Sequence, residues 1–168
     1  EKTKECNNNM GNKGTGEMVD VMAVEKIKGL RSMGPCEITL DSGAEESVWP
    51  KGWLEEKETV MKGVEKKRFA AANGDEMSHY GRKAVKFKGT QDKQEKIMAL
   101  SFEATDVTKP LASVRRVVER GNVVCFHPEG SYIENIKSKE RIPLRKKGGS
   151  YVMDVDLMVD TSVFGGQV

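Results

Sequence analysis

A chain of 168 residues is long enough for one domain core with loose ends and too short for two. It is 37% hydrophobic and 32% charged, and its 28 Lys plus Arg against 26 Asp plus Glu leave a net charge of +2, which gives no field that argues for nucleic acid or an anionic membrane surface. No run approaches the roughly 18 apolar residues that span a bilayer, no basic start leads into an apolar signal segment, and three scattered cysteines (Cys6, Cys36, Cys125) form neither a zinc nor a disulfide pattern, so a reduced, intracellular setting is expected.

In chain order, residues 1–17 open on EKTKECNNNMGNKGTG, which holds almost nothing to bury and reads as a flexible linker. The absence of an initiating Met suggests a piece of something longer. EMVDVMAVEKI alternates at Met18, Val19, Val21 and Ala23 or Val24, which fits a first strand or a short helix. Gly29 and Gly34-Pro35 then punctuate the chain. CEITLD is a strand with Ile38 and Leu40 on one face and Thr39 on the other, ending at Asp41.

Asn73-Gly74 is a strong hairpin signal, because both residues tolerate the positive φ of tight turns. Ala84, Val85 and Phe87, and then Ile97, Ala99, Leu100 and Phe102, predict two further strands. KPLASVRRVVERGN predicts the one helix, capped by Ser113, striped by Val114, Val117 and Val118, and stopped by Gly121. NVVCFH, SYIENI, RIPL and SYVMDVDLMV are short β-prone runs separated by turn-forming PEG, KSKE and KKGG. The basic clusters VEKKRF and PLRKKGG read as solvated faces. Many strands and one short helix predict a mainly β domain over 18–157, closed or sandwich-like, with a C-terminal tail over 158–168.

The chemically distinctive stretch is EITLDSGAEESVWP, an apolar strand that runs into Asp41, Ser42, Gly43 and Ala44. Aspartic proteolysis wants this pattern. Two carboxylates about 3 Å apart cannot both ionise, so they share a proton, one activating a water while the other donates to the scissile carbonyl. Asp41 supplies the carboxylate, the Ser42 hydroxyl can tie two such loops together, Gly43 lets backbone amides approach the carboxylate, and Ala44 is small enough for the loops to meet. The chain has no second Asp-Ser-Gly or Asp-Thr-Gly. If Asp41 is catalytic its partner is the Asp41 of a second copy, so the chemistry requires a homodimer with a two-fold axis through the site. Such a site needs neither metal nor cofactor, and its pH profile is two-sided with an acidic optimum.

Three ordered landmarks, ITLDSGAEESV, AAANGDEMSHYG and KPLASVRRVVERGNVVCF, resemble those of retropepsin-like aspartic proteases, most closely the proteases of copia-type retrotransposon polyproteins. The likeness covers about residues 18–157 and continues through GSYIEN and RIPLRKKGGSYVMDV as a terminal hairpin. It implies a retropepsin-like closed β-barrel with one short helix, Asp41 as catalytic residue, and Ser42, Gly43 and Ala44 as the active-site loop. It also implies a substrate-binding flap with Ala72, Asn73 and Gly74 at its tip, offering backbone amides to an extended peptide. Where many members carry Gly after two apolar residues before the helix, this chain has Ala112-Ser113. The implied partners are a second copy of the chain and a polypeptide substrate, with no membrane and no nucleic acid. The implied place is the cytoplasm or a retroelement particle, and the implied work is polyprotein processing.

Two other readings have less in their favour. A retropepsin-like module that dimerises and grips peptides without cutting them would share every landmark. A nucleic-acid-binding fragment would need a zinc knuckle or an aromatic-basic face, which Cys6 alone does not supply. His79 and His127 neighbour no nucleophile and take ordinary structural roles. Trp49 and Trp53 are expected in the core or as loop anchors, with a ligand groove as the lesser reading.

Overall fold

The computed structural model describes residues 29–53, 69–70, 74–90 and 97–160. The linker and first strand expected before residue 29 lie outside the described residues. In chain order the elements are β1 (Leu30–Asp41), β2 (Val48–Pro50), β3 (Phe69–Ala70), β4 (Glu76–Met77), β5 (His79–Gly89), β6 (Met98–Thr105), β7 (Leu111–Ser113), α1 (Val114–Glu119), β8 (Asn122–Cys125), β9 (Ser131–Asn135), β10 (Arg141–Lys147) and β11 (Ser150–Asp160). Among the described residues the chain is mainly β with one short helix, as its β-branched runs and turn residues predict. No helix among the described residues is long and apolar enough to cross a membrane.

β1 lies between two partners. On one side β11 runs antiparallel to it, and on the other the short β7 runs parallel, pairing Thr39 with Leu111, Leu40 with Ala112 and Asp41 with Ser113. β7 meets β2, β2 runs parallel to β6, β6 antiparallel to β5, and β5 antiparallel to β11, so the pairings return to β1 and close a ring. β10, β9 and β8 extend outward from β11. The expected terminal hairpin is present, turning between Lys147 and Ser150 with Gly148 at φ 58°.

Three local expectations change in the folded chain. Gly34-Pro35 does not interrupt the strand; between the pairs Ser32–Met158 and Pro35–Asp156, two residues of β1 stand against one of β11, a bulge that accommodates a proline with no N–H and a glycine at φ 99°. Thr39 is buried along with Ile38 and Leu40, because β1 is covered on both faces rather than one. β11 continues to Asp160, with Met158 and Val159 buried, so the strand extends past the tail boundary placed at 158.

The core joins Ile38, Trp49, Val85, Phe87, Phe102 and Met153 from five strands. The alternation of β5 sends Lys83 inward with Val85 and Phe87 and leaves Ala84 outside. The Lys83 ammonium donates to the Trp53 carbonyl at 2.6 Å, which offsets part of the cost of burying it. α1 spans six residues and buries Val117 alone; Val118 at its end is exposed, because so short a helix presents only one side to its neighbours β7 and β8. The Asn122 side-chain amide donates to the Val117 carbonyl at 2.9 Å and helps close the helix C-terminus.

Candidate active site

Asp41 is the last residue of β1, half-buried, where the chain turns out of the sheet. Its Oδ1 accepts the Gly43 N–H at 2.8 Å, a charge-assisted bond that turns the carboxylate toward its own loop. A Cβ placed on Gly43 would stand 3.4 Å from that same oxygen. A side chain at 43 would thus stand in contact with the carboxylate, which glycine leaves open on that face. Ser42 and Gly43 are exposed and Ala44 is half-buried.

The loop is fastened from below by β7. Ser113, fully buried, donates its hydroxyl to the Ala44 carbonyl at 2.6 Å, accepts the Arg116 N–H at 3.3 Å as helix cap, and donates its own N–H to the Ser47 hydroxyl at 2.9 Å. One side chain thus ties the Asp41 loop to the start of α1. The Ser47 carbonyl accepts the Glu103 N–H at 2.8 Å, which seats the far end of the loop on β6. Arg116 pairs in bidentate fashion with Glu46 and donates to Glu119 at 3.0 Å. The Glu46 carboxylate holds the guanidinium proton of Arg116 more tightly than usual. Ala112-Ser113, in the place where the resembled family often has Gly, fits completely: both residues are fully buried, and the serine adds a hydroxyl to the clamp. Ser113→Ala removes both side-chain bonds and is expected to lower unfolding free energy by about 1–2 kcal/mol, read as a shift of the urea midpoint at constant slope.

Of the expected flap tip, Ala72 and Asn73 lie outside the described residues, and Gly74 has φ 88°. The hairpin that Asn73-Gly74 predicts is present in its strands: Phe69 pairs with Met77 and Ala70 with Glu76. Among the described residues no hydrogen bond joins Gly74 to residues 41–44. The structure therefore brings Asp41, Ser42, Gly43 and Ala44 together as one loop and leaves Gly74 on a separate hairpin.

Trp49 is fully buried, edge-on to Trp53 with centroids 6.0 Å apart and 5.1 Å from Phe102. Trp53 is 41% exposed and lines a cavity of about 530 Å³ with Pro35, Cys36, Lys109, Pro110 and Val152. Trp49 thus takes the expected core role. Burial and then the neighbouring Glu37 push the Cys36 thiol up to about 11, so it stays protonated at neutral pH and is no nucleophile.

A polar cluster near the root of the hairpin has no signature in the sequence. Glu103, on β6, accepts Arg82 Nε at 3.0 Å and stands 2.7 Å from His79 Nε2, although these partners are more than twenty residues away in the chain. Next to it the Asp106 carboxylate accepts the Tyr80 hydroxyl at 2.7 Å and the Ser78 N–H at 3.1 Å. These two bonds hold the Asp106 carboxyl below its usual range. Only the pairing of β5 with β6 brings these groups together.

Chemically, the Asp41 loop offers one oriented carboxylate that can take or give a proton. Among the described residues no cluster of three His, Cys, Asp or Glu could hold a metal ion. Compared with known proteins, the chain matches no family model, no curated protein and no solved structure.

Proposed function

We propose that this chain is an aspartic endopeptidase of the retropepsin type, active as a homodimer in which each copy contributes one Asp41. The observation that carries the reading is the clamp on the Asp41 loop. The carboxylate ends a strand paired in parallel with β7, is turned by the Gly43 amide, and is locked from beneath by Ser113 on Ala44. A catalytic group held through several strands is what a preorganised proton-transfer site requires. The ring of strands supports the finer reading of a retropepsin-like closed barrel.

In the dimer the two Asp41 carboxylates share one proton. The ionised member takes a proton from a water, the water oxygen adds to the scissile carbonyl, and the protonated member gives its proton to the carbonyl oxygen. Collapse of the tetrahedral diol, with a proton passed to the departing nitrogen, releases carboxyl and amine. Ser42 is exposed, and in this reading its hydroxyl ties the loop to its counterpart from the second copy. The hairpin of β3 and β4, with Ala72, Asn73 and Gly74 in its connection, supplies strand-like amides to an extended peptide. Junctions in the chain's own polyprotein are the substrates this reading favours, in a retroelement or a gene derived from one.

A dilution series tests the reading. Cleavage of a peptide library is expected to rise with the square of chain concentration below the dimer dissociation constant and linearly above it. Cleavage proportional to concentration by a chain that sediments as a monomer throughout would overturn it.

A further inference from the structure

Glu103 is a carboxylate whose side chain is 4% exposed, in a sheet where an apolar residue would pack at less cost. Its geometry explains what it holds. Arg82 faces it directly across the β5–β6 ladder. His79 reaches the same carboxylate because β5 carries one extra residue between His79 and Gly81: His79 pairs with Thr105 and Gly81 with Ala104, and Tyr80 is the residue left over. In regular pairing Tyr80 would stand opposite Thr105, on the face of Glu103, and His79 would point to the other face. The bulge exchanges them. It gives His79 to the buried Glu103 and turns Tyr80 outward, 41% exposed, where its hydroxyl donates to Asp106 and accepts from the Lys51 ammonium at 3.0 Å.

Each of these contacts lies at the root of the β3–β4 hairpin. The His79 ring packs on the Phe69 ring of β3 at 5.4 Å, so Glu103 reaches the first hairpin strand through His79. The second strand, β4, leads into Ser78, whose N–H is held by Asp106. Lys51 follows directly on β2, the strand that leaves the Asp41 loop, and its own N–H donates to the Thr105 carbonyl at 2.9 Å. The end of β6 therefore grips both hairpin strands, and does so beside the exit of the catalytic loop.

We infer that Glu103 is a positioning residue that, through His79 and Arg82, sets the β3–β4 hairpin for substrate binding. The inference rests on the reading of that hairpin as the substrate-binding flap. Glu103 touches no reacting atom in this scheme. It fixes the angle at which the hairpin leaves β5.

The test uses Glu103→Gln, which keeps size and shape and loses the charge that binds two donors. Hydrogen exchange of the whole chain, without substrate, is expected to quicken about tenfold at the amides of residues 69–70 and 74–82, with β1 and β11 unchanged; that factor is the loss of one charge-assisted bond. In peptide cleavage KM is expected to rise by about the same factor and kcat to change far less. His79→Ala is expected to reproduce the exchange pattern, and His79→Gln, which retains an N–H for Glu103, to restore it. Exchange unchanged at the hairpin root, or quickened equally in β1 and β11, overturns the inference, the second outcome marking a merely structural role. If Glu103→Gln does not fold, the histidine pair decides: equal exchange in His79→Ala and His79→Gln overturns it. The exchange measurement needs no cleavage, so a chain that cuts no peptide refutes the protease reading while leaving the hold of Glu103 on the hairpin decided on its own evidence.

Discussion

Asp41→Asn is expected to abolish peptide cleavage, by at least about a thousandfold, while leaving the fold and the dimer intact. Loss of a positioned acid–base group typically costs two to four powers of ten, and in a two-fold site one substitution removes both members of the pair. The fold is expected to survive because Asn presents an oxygen where Asp41 Oδ1 accepts the Gly43 N–H, and because the bonds of Ser113 to Ala44 and Ser47 do not involve the carboxylate. Peptide binding is accordingly expected to persist, measured by fluorescence anisotropy of a labelled substrate. Cleavage that survives the substitution would sink the protease reading. Binding by both proteins with cleavage by neither would establish the alternative, a dimeric peptide-gripping module.

Trp49→Ala is expected to lower unfolding free energy by about 3–5 kcal/mol, the range for deleting a fully buried aromatic side chain. Trp49 has no exposed surface, packs on Trp53 and Phe102, and donates its indole N–H to the Trp53 carbonyl at 3.2 Å. The same carbonyl receives the buried ammonium of Lys83, so the substitution also loosens a partner that offsets that charge's burial. Against a total stability of about 5–15 kcal/mol the variant would stand near the edge of folding. A midpoint shift in urea worth less than about 1 kcal/mol would show that the site collapses around the deletion instead of leaving a cavity.

Much of the Asp41 loop was legible before any coordinate. The alternation in CEITLD, the change to Asp-Ser-Gly-Ala and the Ser113 cap are local patterns, and local patterns express backbone propensity directly. The strand, the loop and the cap all stand where those patterns put them. The double duty of Ser113 was not legible: a helix cap can be read from spacing, but its hydroxyl on Ala44 depends on β7 lying parallel to β1. The bulge at Gly34-Pro35 reads locally as a break, since nothing nearby says that β11 will be there to carry the strand across it.

What the sequence by itself determined is therefore the inventory: mainly β, one short capped helix, one hairpin around Gly74, and a single acidic loop at a strand end. The tertiary structure alone decided which faces are inside and which distant groups meet. Thr39 is buried because β1 is covered on both faces, Lys83 points inward because β5 pairs with β6 in one register, and Glu103 meets His79 because that register contains a bulge. The division has a physical cause. Turn and strand preferences act over a few residues, whereas register is chosen by the burial of whole faces against segments far away in the chain, and a shift of one residue reverses every side chain.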